Sequence, residues 1–137
     1  MADSKLYTIG LLSSTAISNM ALDVPTLWTL YTAPLGRKCV IDSVVIHSNS
    51  GSLAGMDDVD FGGGATAIDP VWIDNETGIG DMTTANSYMI LRNDSNDLVL
   101  IDGDDTTLAA RTFGMYVTLG STATPITAVV DTFGYIF

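Results

Sequence analysis

"DDVDFGGGATAIDP" (57–70) places three aspartates within four positions and follows them with three consecutive glycines. Carboxylates ahead of a glycine run suit a metal loop, a phosphate loop or the end of a strand. As a dinucleotide loop, Gly62, Gly64 and Ala67 satisfy G-x-G-x-x-A. That fingerprint needs a helix to follow, whose N-terminus holds the pyrophosphate. Pro70 and the β-rich Val71-Trp72-Ile73 exclude a helix there. As a calcium loop, a count from Asp58 puts Gly62 at the fifth position and Asp69 at the twelfth, where an EF-hand needs a ligand and a glutamate. A count from Asp102 puts Phe113 at the twelfth. Calcium held between two loops is left open by spacing alone. The remaining reading is a strand with Val59 and Phe61 on one face and Asp58 and Asp60 on the other. A glycine turn then leads to a strand whose Pro70 suits a sheet edge.

The rest of the chain repeats that pattern. Val-, Ile-, Thr-, Tyr- and Phe-rich runs occupy 5–12, 26–33, 38–48, 56–62, 67–74, 86–93, 97–102, 110–120 and 127–137. Gly, Pro, Asn, Asp and Ser clusters such as "APLGRK", "SNSGSLAG" and "NDSND" separate them. In 109–119 Phe113, Met115, Val117 and Leu119 share a face, with Arg111 out of pattern, which marks a half-buried strand. Val44 and Ile46 alternate with Val45 and His47, so both sides of that strand are apolar and it reads as central. Only 13–23 has helical character, and it suits an extended arm equally well. Eight to nine short strands with almost no helix predict an all-β, antiparallel β-sandwich or barrel in one domain.

Composition narrows the function. Five basic against 16 acidic residues give a net charge of −11, which disfavours nucleic acid and anionic membranes as partners. Apolar residues form 47% of the 137-residue chain and charged residues 15%, a globular balance. Cys39 is the single cysteine, so neither an internal disulfide nor a four-cysteine zinc site is available. No secretory leader and no apolar run of roughly 20 residues is visible, which predicts a protein assembled in a cytoplasm.

Catalytic constellations are thin. Any Ser-His-Asp or Cys-His arrangement must use His47, the only histidine, which lies within an apolar strand. No G-x-S-x-G or S-x-x-K is present, and Glu76 is the sole glutamate. The expectation is a non-enzymatic protein without a cofactor or metal. Trp28, Trp72, Tyr31, Tyr88 and Tyr116 offer stacking faces for a sugar, or packing area for a core or a subunit contact.

The strands and turns also carry a resemblance. "LYTAPLGRKCVIDSVVIHSNSGSLAG" (30–55), "DVDFGGG" (58–64), "FGMYVTLGSTATP" (113–125) and "AVVDTFGYIF" (128–137), in that order, resemble small β-sandwich virion proteins of tailed bacteriophages. The resemblance covers roughly 27–137. It implies a jelly-roll-like fold and a capsid decoration or cement role, with the major capsid protein and further copies of itself, as a trimer, for partners. A tail-fibre or head-fibre module binding host glycans is the alternative that similar folds offer. Residues 1–26 fall outside it and read as an N-terminal arm or added strand, leaving 27–137 as the sandwich. Tyr7, Ile9 and Leu11 alternate with Leu6, Thr8 and Gly10, the pattern an added strand needs. Leu6, Tyr7, Ile9 and Leu11 are therefore the candidate contact residues.

Overall fold

Nine strands among the described residues build two sheets. The computed structural model describes residues 8–21, 25–68, 71–92, 99–103, 105–122 and 125–137. In chain order the strands are β1 (Gly10–Ile17), β2 (Thr26–Thr32), β3 (Lys38–His47), β4 (Asp58–Gly63), β5 (Val71–Glu76), β6 (Tyr88–Leu91), β7 (Val99–Asp102), β8 (Thr112–Leu119) and β9 (Ala128–Ile136). The first sheet runs β1-β9-β3-β6, with β7 also on β3; the second runs β2-β8-β4-β5. Every pairing is antiparallel. β7 pairs with β3 at Lys38–Ile41 and β6 pairs with it at Val44–His47, so the two lie end to end along one edge. Counted as one lane, they leave four lanes in each sheet, in the order of a jelly roll.

The core is the inner faces of both sheets. Ile41, Val44, Ile46 and Val130 from the first meet Val59, Phe61, Phe113 and Met115 from the second, all 0% exposed. Trp72 packs its ring against Phe113 edge-to-face, with centroids 5.6 Å apart and planes at 71°. Val59 and Phe61 point inward while Asp58 and Asp60 stay half-exposed, as the alternation of the opening stretch requires. β5, which follows the glycines, is an edge strand of the second sheet.

Three local readings shift. Gly62 and Gly63 are buried strand residues opposite Gly114 and Phe113, and only Gly64 leaves the ladder, at φ 114°. The strand expected over 110–120 begins at Thr112, because Leu108–Arg111 form one helical turn that Thr112 closes through a 2.7 Å hydrogen bond to the Leu108 carbonyl. That turn is why Arg111 breaks the alternation. The first strand, expected over 5–12, occupies Gly10–Ile17, so 13–17 is extended rather than helical.

Two ends close the sandwich. At one, Met20, Leu53, Met56, Ile79, Met82 and Ile126 are buried under the loops. Asn49, 0% exposed, pins two of these loops together: its amide donates to the Gly51 and Thr84 carbonyls and its Oδ1 accepts from the Ser87 N–H. This is the physical content of the "SNSG" signature. At the other end the β2–β3 turn lies directly on Gly103, whose carbonyl accepts from Gly36 N–H at 2.9 Å. A Cβ on Gly103 would collide with the Pro34 and Arg37 carbonyl oxygens, so "DGDD" carries a packing glycine.

Candidate functional site: the outer face of the first sheet

Strand periodicity decides which side chains of β3 face out. Val44 and Ile46 enter the core, so Val45 and His47 stand on the opposite face. Register brings Ile90 beside Val45, Tyr88 beside His47, and Leu11 beside Phe133. A groove of about 260 Å³ runs over this face, lined by Ile9, Asp42, Ser43, Val45, Ile90, Arg92 and Phe133. Ile9, Leu11, Tyr88 and Ile90 are each at least half exposed around it, with Tyr88 reaching 72%. Scattered exposed hydrophobics are ordinary; a group gathered about one groove marks a contact surface.

The opposite face of the sandwich is acidic. Asp58 and Asp60 on β4 and Asp74 on β5 point away from the core of the second sheet. A hydrogen bond with Asp60, followed by desolvation and the charges of Asp60 and Asp58, raises the Asp74 carboxyl above the ordinary carboxylate range. Among the described residues no group of three or more His, Cys, Asp or Glu side chains is placed to hold a metal ion. No helix among them is long and apolar enough to cross a membrane.

The sequence-based contact residues divide. Ile9 lines the groove and Leu11 lies on the edge strand β1, while Leu6 and Tyr7 fall outside the described residues. Sequence reasoning missed Val45, Ile90, Arg92 and Phe133. The signal was present in β3: apolar residues on both of its sides were read as a mark of a central strand. The strand is central within its sheet, yet among the described residues no second layer covers Val45, and that surplus apolarity lines the groove. Of the aromatic stacking candidates, Trp72 is 2% exposed and belongs to the core. Trp28 and Tyr31 are half-buried against it. Tyr31 receives the Cys39 thiol at 3.6 Å, and burial raises both groups above their ordinary titration ranges. Tyr88 alone of the five stands open to solvent.

Comparison with protein-family models finds no match, and neither does comparison with curated protein sequences.

Proposed function

We propose that this chain is a structural protein of a tailed-bacteriophage virion, a decoration or cement protein that seats the outer face of its first sheet on the capsid. It would assemble in the host cytoplasm and join the major capsid protein and neighbouring copies of itself as a trimer, a role that requires no catalysis. The observation that carries this reading is the two-sidedness of the molecule. An apolar groove face suits attachment to another protein, and an acidic face suits solvent and repels packaged DNA. The ordered motifs at 30–64 and 113–137 add the resemblance to virion sandwiches. The test is co-sedimentation with DNA-free heads lacking the protein. Wild type and an Asp60→Asn control should saturate the heads, while Ile90→Lys should bind at least tenfold more weakly. Equal binding by all three, or no binding by wild type, would sink the reading. A glycan-binding fibre module is the second reading, favoured by the exposed ring of Tyr88, and specific retention on a glycan array would support it.

A further inference from the structure

Beyond the groove, the same face holds a linear chain of hydrogen bonds. His47 Nε2 lies 2.8 Å from Asp131 Oδ2, and His47 Nδ1 lies 2.8 Å from Ser48 Oγ. An ionised carboxylate only accepts, so with neutral imidazole the ring proton sits on Nε2. Nδ1 is then a lone pair, and the Ser48 hydroxyl donates to it. Hydroxyl, imidazole and orienting carboxylate thus stand in the order nucleophilic catalysis uses. The backbone adds an independent observation. Ser48 has φ 55°, in the left-handed region that few non-glycine residues enter, and such outliers cluster where geometry serves chemistry. Ser48 is exposed, and Tyr88, the register partner of His47, offers an open aromatic ring beside it.

We propose that Ser48 is a nucleophilic serine that accepts an acyl group from activated aryl esters, with His47 as its general base and Asp131 as the positioning residue. As the Oγ–carbon bond forms at the ester carbonyl, the hydroxyl proton passes to His47 Nδ1. The tetrahedral adduct collapses, the carbon–aryloxide bond breaks, and the aryloxide leaves with the electron pair and takes up a proton from the imidazolium or from solvent. Water returns the free serine by the reverse path: its oxygen bonds to the acyl carbon as His47 Nδ1 takes its proton. The adduct collapses with cleavage of the acyl–Oγ bond, and the carboxylic acid leaves as the imidazolium returns a proton to Ser48 Oγ. In this proposal the exposed ring of Tyr88, the register partner of His47, supplies the stacking face for the aryl group. This inference stands independently of the virion reading.

The experiment incubates the full chain with p-nitrophenyl acetate and follows p-nitrophenolate release together with peptide mass mapping of the acetyl group. The expected result is acetyl concentrated on Ser48. Ser48→Gly, which the left-handed backbone accommodates, should fold and lose that label. His47→Gln should slow Ser48 acetylation about 100-fold or more. Asp131→Ala should slow it too, and Asp131→Glu should recover part of the loss. Acetyl spread evenly over exposed serines, threonines and lysines would overturn the proposal, as would equal Ser48 labelling in wild type and His47→Gln. Failure of Asp131→Glu to exceed Asp131→Ala would remove the positioning role of Asp131.

Discussion

Asp74 shows how one carboxyl reports on the acidic face. Its proton bridges to Asp60, and the neighbouring Asp58 charge reinforces the preference for the neutral form. A carboxyl whose titration is raised on folding binds its proton more tightly in the native than in the unfolded state. Stability therefore falls as pH rises through the interval between the ordinary carboxylate value and the raised one, and recovers as pH falls through it. Asp74→Asn keeps a donor for Asp60 and removes the repulsion. The expected outcome is a higher melting temperature than wild type at neutral pH, a difference that shrinks on acidification through that interval. A gap independent of pH would show that charge is not its source. Gly103 makes the complementary steric point. Its missing Cβ lets the Pro34–Arg37 turn sit on the backbone, and carbonyl oxygens give way at greater cost than side-chain ends do. Gly103→Ala should cost about 1–3 kcal/mol in urea unfolding, the range of an overpacked site.

At the level of strands and turns, legibility followed period. β8 was readable because Phe113, Met115 and Val117 keep an unbroken alternation, and all three are buried. β4 was readable for the same reason, through Val59 and Phe61. The boundary errors came where another force took over from period. The Leu108–Arg111 turn is only one turn long, too short to show a helical repeat, and its closure depends on the Thr112 side chain. β1 lies at an edge, where Gly10, Leu11, Ser14 and Ala16 are exposed, so burial imprints little alternation on "GLLSSTAI". Pairing with β9 holds it, and Ser13 and Thr15 donate across the sandwich to the Leu30 carbonyl at the bulge of β2. Such contacts between segments distant in sequence leave no local signature. The groove was half legible: Ile9 came from the alternation at the N-terminus, but Ile90 meets Val45, and Phe133 meets Ser43, only through register. Phe113 is fully buried in the core and meets Trp72 across β4 within the second sheet, so Phe113→Ala should remove about 3–5 kcal/mol of stability, measured by chemical denaturation. A loss below about 1 kcal/mol would mean that Phe113 does not anchor the core.

As a whole, the molecule is a jelly roll with unlike outer faces, and its proposed role follows from that difference rather than from the fold. Jelly rolls serve capsids, lectins and cupins alike, so topology alone selects none of them. What distinguishes this chain is that Ile9, Val45, Ile90 and Phe133 gather about one groove while Asp58, Asp60 and Asp74 gather on the far side. In the proposed role a chain of net charge −11 keeps its Asp58–Asp60–Asp74 face in solvent and turns its groove to a partner. The central claim is therefore one of orientation, and cryo-electron microscopy of the tailed-bacteriophage virions to which the proposal assigns the chain tests it most directly. The account predicts trimeric density for the jelly roll on the outer capsid surface, with the β9–β3–β6 face turned onto the shell and the Asp58–Asp60–Asp74 face turned to solvent. Heads devoid of the protein, or a protein seated through its acidic face, would contradict it.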